Sequence, residues 1–217
     1  MSDGNEELET LRRKVLLAGL THVPFEGWTN AALRAGARDA GLDPAQAARA
    51  FPGGPTEAID FFNRHADASM LEALEGMDFD NMRVRDKIIA GVRVRLEQNL
   101  PHREAVRRAL AVLAMPFNAP LGMRCVARTV DAIWRAAGDA STDYNWYTKR
   151  GLLAGVYTAT VLYWINDKSP GTTDTYQFLE RRIDTVMRIG GAIGRAGKSF
   201  ANIGSPFDLF RRPFPPR

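Results

Sequence analysis

Cysteine and histidine are scarce in this 217-residue chain, and long apolar runs are absent. The single cysteine, Cys125, excludes an internal disulfide and any multi-cysteine zinc site. Its neighbours Met123 and Val126 favour an inert buried thiol over a reactive one. The three histidines, His22, His65 and His102, lie far apart, and none sits in a Glu-x-x-His or His-Glu-x-x-His setting. No metal and no resident cofactor are therefore expected. No apolar stretch reaches the ~18 residues of a membrane span. There is no glycine-rich phosphate loop after a strand and no nucleophile elbow. The carboxylate pairs Asp78/Asp80 and Glu72/Glu75 read as solvated helix-end charges rather than as acid–base groups. The opening MSDGNEELETLRRKV is acidic and matches neither a secretory signal nor an Arg-rich transit peptide. Together these absences predict a mature intracellular protein that is not an enzyme.

What the chain does have is helical periodicity almost throughout. Leu8, Leu11, Val15, Ala18 and His22 mark one face of a first helix, with His22 expected in the core. Thr29 is the N-cap of a second, with Trp28 and Leu33 placed as a hydrophobic staple, and Gly41 ends it. Asp43-Pro44 opens a short third helix that stops at Phe51-Pro52-Gly53-Gly54-Pro55. Three such helices form a helix-turn-helix arrangement over residues 8–54. Longer helices are predicted near 56–76, 80–99, 103–115, 119–137, 142–166 and 173–194. The expected fold is all-α, with a larger helical domain over 55–195 and a tail over 196–217.

Charge is unevenly placed. Residues 181–217 hold eight Arg or Lys against Asp184 and Asp208, within a net charge of +4 for the whole chain. A basic tail suits an anionic partner, either a membrane surface or nucleic acid. Residues 1–65 carry nine Asp or Glu against seven Lys or Arg, and the candidate recognition helix offers Arg49 alone. DNA affinity rests on cations neutralising phosphates, so no nucleic-acid partner is expected. In the tail, Phe200, Ile203, Phe207 and Phe210 continue an apolar line, with Arg195 and Lys198 beside it. That pattern fits an amphipathic segment for a membrane interface. Five glycines between residues 190 and 204, with Pro206, oppose helix along this line in water, so order is expected only on lipid; a frayed tail packed on a partner subunit is the alternative.

Two further stretches carry unusual chemistry. Met115, Phe117, Leu121 and Met123 cluster around Pro116 and Pro120, and a later helix supplies Leu153, Val156, Tyr157, Val161 and Trp164. Helices of this kind can enclose an apolar ligand cavity, or simply pack a core. The run GDASTDYNWYTKR (Gly138–Arg150) begins as a helix start, with Ser141 or Thr142 as cap and Asp143 favoured by the helix dipole. Capping explains neither Trp146 beside Tyr147 nor Arg150, all on one stripe.

The pattern Trp-x-x-Ala-Gly-Asp-x-Ser-Thr-Asp-Tyr-Asn-Trp-Tyr-Thr-Lys-Arg (Trp134–Arg150) resembles the coenzyme Q (ubiquinone) biosynthesis accessory family. MPFNAP (Met115–Pro120), Gly27-Trp28-Thr29 and Phe178–Arg182 add to the likeness, which runs from about residue 11 to 195. The resemblance implies a TetR-repressor-like fold, a homodimer, a vestigial helix-turn-helix and a lipid cavity. It implies binding of isoprenoid lipids, including quinone precursors, and their presentation to the di-iron demethoxyubiquinone hydroxylase at a membrane. A ligand-responsive TetR-type regulator is the alternative function. The family's hydroxylase-facing patch maps onto Trp146, Tyr147, Leu96 and Ile133; Arg150 shares the motif but is assigned first to positioning the helix. The acidic N-terminus differs from a mitochondrial presequence, so a bacterial member is expected, cytoplasmic and peripheral to the inner face of the plasma membrane.

Overall fold

The structure is a computed structural model that describes residues 2–79, 81–139 and 144–201, with residues 2–3, 144–146 and 189–201 described as backbone alone. Among the described residues there are ten α-helices and no strand: α1 (Ser2–Gly19), α2 (Val23–Glu26), α3 (Asn30–Asp39), α4 (Gln46–Ala50), α5 (Pro55–Glu75), α6 (Val84–Gln98), α7 (Arg103–Leu113), α8 (Ala119–Ala136), α9 (Tyr144–Trp164) and α10 (Thr173–Ala201).

Local rules account for the first helices. The Thr29 hydroxyl accepts the Ala32 N–H, and the staple residues Trp28 and Leu33 are both buried. Gly41 takes φ 71°, and the N–H groups of Gly41 and Leu42 reach back to the carbonyls of Arg38 and Ala37. This Schellman closure requires a left-handed residue, which glycine supplies without steric cost. The Asp43 carboxylate accepts the Ala45 N–H at 2.8 Å and starts the turn into α4.

α1 crosses α3 so closely that a Cβ on Gly36 would lie 2.4 Å from the Gly19 nitrogen and 2.7 Å from the Val15 carbonyl oxygen. α1 also ends at Gly19, before His22. The histidine therefore leaves the apolar stripe, and its Nε2 lies 2.7 Å from the Asp39 carboxylate at a partly exposed position. The expectation of a core histidine is corrected: α2, a helix the periodicity did not reveal, starts the chain in a new direction there.

Two cores result, and they meet on α5. Val15, Leu16, Phe51, Ile59 and Phe62 belong to the first. Met70 and Leu74, farther along the same helix, join Val92, Val130, Ile133, Leu153, Trp164 and Leu179 in the second. The Trp28 indole N–H donates to the Ala105 carbonyl at 2.9 Å, tying the helix-turn-helix region to α7. α7 in turn holds the end of α9: Arg103 donates to the Asp167 carbonyl and Arg107 to the carbonyl of Ile165. These cations meet the unpaired carbonyls and negative dipole end of a helix C-terminus.

Asp167 then organises the turn into α10, accepting the N–H groups of Ser169 and Thr175 and the Thr175 hydroxyl. Burial alone raises its carboxyl pKa, but the hydrogen bonds from Ser169 and Thr175 outweigh that and hold it at about 2, below the ordinary 3.8. A depressed carboxyl stabilises the fold above its unfolded pKa, and that stabilisation disappears as pH falls toward the folded value. The stability gap between the native chain and Asp167→Asn should therefore be constant above about pH 5 and should narrow from about pH 4 toward pH 2. Urea unfolding across that window measures it; a gap independent of pH would rule out this role for the carboxylate.

α10 continues as helical backbone to Ala201, seven residues beyond the end near 194 set by its glycines. A helix already nucleated extends at low cost per residue, and Tyr176, Leu179 and Ile183 anchor its first turns, the last two inside the core. Of the membrane-binding candidates, Arg195, Lys198 and Phe200 fall on this backbone-only part. Ile203, Phe207 and Phe210 lie outside the described residues.

Candidate functional site

An apolar cavity of about 310 Å³ lies among α5, α6, α7, α8 and α9. This is the lower end of ordinary small-molecule sites, about 300–1,000 Å³. Leu110, Val126, Val161 and Trp164 give it hydrocarbon and aromatic walls. Five residues, Leu113, Gly122, Val126, Thr158 and Leu162, also line a second, open groove of about 880 Å³ between α8 and α9. The two spaces thus adjoin. The groove follows one stripe of α9 through Leu162, Thr158, Gly155, Gly151 and Tyr147. The fifteen helical steps from Tyr147 to Leu162 make it roughly 22 Å long. A Cβ on Gly151 or Gly155 would meet nothing within 4 Å, so small residues keep the channel open.

One wall of the cavity is polar and charged. Asp67, 4% exposed, accepts from Arg95 Nε at 3.1 Å, from the Thr129 hydroxyl at 2.7 Å and from Arg128 Nε at 3.3 Å. Arg95, Thr129 and Asn63 face the cavity. Tyr157 lines it as well, and burial pushes its phenol above the ordinary 10, so it stays neutral. Cys125 is buried beside Asp60 and Arg128, and burial is the largest influence raising its thiol pKa. A raised thiol is a poor nucleophile at neutral pH.

The sequence-selected residues separate into distinct places. Tyr157 and Val161 line the cavity, whereas Leu153 and Val156 pack inside the second core. Met115 (51% exposed) and Phe117 (85%) point outward. Met123 is exposed on the groove. Leu121 is half-buried and lines neither space. The cavity expectation for Met115, Phe117, Leu121, Leu153 and Val156 is therefore corrected: Pro116 and Pro120 turn their segment around the end of α7 rather than into the interior.

Tyr147 is exposed at the far end of the groove. Arg150, three residues on, turns inward, donating to Asp131 at 2.7 Å and to Asp139 at 3.0 Å. Lys149 reaches the same Asp139 at 2.8 Å. These ion pairs clamp the start of α9 to the end of α8, where Gly138 (φ 87°) closes another Schellman turn. Leu96 and Ile133 are 3% and 1% exposed, so neither belongs to a surface patch in this chain; Leu96 instead lines the cavity. The capping roles of Ser141, Thr142 and Asp143 lie outside the described residues, as does the side chain of Trp146.

The Asp67–Arg95–Thr129 cluster was missed in the sequence. Its signal was available: Asn63 and Asp67 stand at i and i+4 on the face that continues through Met70 and Leu74. Polar residues at core positions of an amphipathic helix mark a buried network.

A family model described as COQ9 matches residues 119–190, which span α8, α9 and most of α10. "Ubiquinone biosynthesis protein COQ9, mitochondrial" of Homo sapiens is 36% identical over 192 residues, covering 85% of this chain and 60% of its own length. "Ubiquinone biosynthesis protein COQ9-B, mitochondrial" of Xenopus laevis is 32% identical over 199 residues, covering 88% of this chain and 68% of its own. This chain thus spans about 60% of the length of such curated relatives as those of Bos taurus and Homo sapiens. Among solved structures, a TetR transcriptional regulator from Nitrosomonas europaea superposes with a TM-score of 0.66 at 21% identity, covering 82% of this chain and 98% of that one. The fold is TetR-like and all-α, and by sequence the chain belongs to the COQ9 family of ubiquinone biosynthesis proteins.

Proposed function

We propose that this chain is a non-catalytic, lipid-binding accessory protein of ubiquinone biosynthesis. In this reading it shelters isoprenoid quinone intermediates and presents them to the di-iron demethoxyubiquinone hydroxylase, working as a homodimer at the inner face of a bacterial plasma membrane. The observation that carries the reading is the apolar cavity adjoining a groove that ends at Tyr147. A polyprenyl chain is nearly insoluble in water, so a protein that covers it lowers the cost of holding the molecule outside the bilayer. Exposed Tyr147 supplies an aromatic anchor of the kind that dominates protein interfaces. The regulator reading draws little from α4, a five-residue helix whose cation is Arg49.

Mass spectrometry of lipids retained by the purified full chain tests the cavity: quinone precursors are expected, and an empty, lipid-indifferent protein would refute the reading. Tyr147→Lys tests the partner surface. Substitution at an exposed position should change stability by less than about 0.5 kcal/mol, while binding to the hydroxylase falls at least about tenfold. Unchanged binding would remove Tyr147 from the interface.

A further inference from the structure

We infer that the turn joining α7 to α8 is the edge of the protein that enters a lipid surface, and that isoprenoid chains cross this edge to reach the cavity. The inference rests on the proposed reading of the cavity as an isoprenoid site.

Met115, Phe117 and Met123 are 51%, 85% and 67% exposed, within nine residues of chain. Water is a poor environment for three such side chains together, and clusters of this kind mark interaction surfaces. Their position is specific. Leu113 and Ala114 before the turn, and Gly122 after it, line the cavity, and Met123 lines the groove. The exposed cluster is therefore the lip of the ligand space.

The turn is also suited to apolar surroundings. The Asn118 side chain donates to the Val112 carbonyl at 3.0 Å, and the N–H groups of Asn118 and Ala119 donate to the Met115 carbonyl at 2.9 and 3.0 Å. Pro116 and Pro120 have no N–H to satisfy. Backbone groups paired internally can leave water without the usual penalty.

Charge favours lipid as the occupant. Between residues 105 and 130 the chain has Arg107, Arg108, Arg124 and Arg128 and no carboxylate. Arg107 and Arg108 lie against Glu104, and Arg128 against Asp60 and Asp67. Arg124, next to Met123, is exposed and placed to meet anionic headgroups. A protein bound across the lip would close the route into the cavity, whereas a bilayer supplies the ligand itself.

Two full-chain variants test this. Cys125 is buried, so Phe117→Cys directs a polarity-sensitive dye to the turn. With vesicles of phosphatidylcholine and phosphatidylglycerol its emission should shift to the blue and be quenched by spin-labelled lipid. Phe117→Asp should slow transfer of a fluorescent polyprenyl quinone from the same vesicles by about tenfold, the effect of losing one buried aromatic contact. Binding of a short-chain, water-dispersible quinone should be unchanged. An unshifted dye together with native transfer would overturn the inference. A dye shift that needs no vesicles and grows with protein concentration would overturn it in favour of a second copy of the chain. If the dye inserts but the native protein fails to bind the short-chain quinone, lipid entry by the turn stands and the cavity reading falls.

Discussion

Replacing Gly36 with alanine is expected to cost about 3 kcal/mol or more, at the upper end of overpacking effects. The methyl group would be built 2.4 Å from Gly19 N, 2.5 Å from Gly19 Cα and 2.7 Å from the Val15 carbonyl oxygen. All three are backbone atoms, so no side chain can swing aside; α1 and α3 would have to separate. Moving them apart would loosen Val15, Leu16, Ala32 and Leu33, all of them nearly inaccessible. For a chain of this size each kcal/mol lowers Tm by about 2–4 °C, so a loss of about 6–12 °C should appear in thermal unfolding. Gly151→Ala and Gly155→Ala are the contrast. Both positions are helical, exposed and clear of neighbours, and alanine there should stabilise α9 by about 0.5–1 kcal/mol. Those same methyl groups would partly fill the groove. A neutral Gly36→Ala would mean that the α1–α3 crossing is looser than this geometry.

The contrast also shows what could be read from the chain and what could not. Capping and turn chemistry act over a few residues, and so Thr29, Gly41 and Asp43 were interpretable from their neighbours alone. The all-α architecture followed from periodicity that pervades the sequence. The need for glycine at position 36 has no local signal, because it comes from α1, a separate element. α2 was invisible because four residues are too few to show a period. At the candidate site, Tyr157 and Val161 were identified as lining residues, but Leu153 and Val156, on the same helix, face the core instead. Apolar identity says that a side chain is covered; it does not say whether protein or an empty space covers it. Leu96 and Ile133 fail for a related reason, since a patch carried over from relatives has no knowledge of burial in this chain.

Asp67→Ala should destabilise the protein by about 3–5 kcal/mol, the usual result of leaving one member of a buried ion pair behind. The magnitude depends on which partners can recover. Thr129 already donates to the Cys125 carbonyl at 3.1 Å, and Arg128 retains Asp60 at 3.1 Å. Arg95 has no such reserve: its side chain is 5% exposed, and the remaining contact is a 3.4 Å hydrogen bond to Asn63. Asp67→Asn should be milder, because an amide oxygen can still accept from Thr129, yet the Arg95 charge stays uncompensated. Replacing both partners, as in Asp67→Leu with Arg95→Met, should restore most of the loss, since apolar side chains avoid the desolvation that a buried pair incurs. Denaturant unfolding of the three variants gives the ordering. If Asp67→Ala instead costs less than about 1 kcal/mol, Arg95 must be finding water through the cavity it lines. That end of the cavity would then be wet, and a ligand group placed there would have to displace ordered water rather than enter an empty space. The double variant separates folding from recognition. It should fold, and any change in the lipids it retains would belong to the polar wall itself. Retention identical to that of the native chain would show that the wall serves the fold alone and that the ligand is held by the apolar walls.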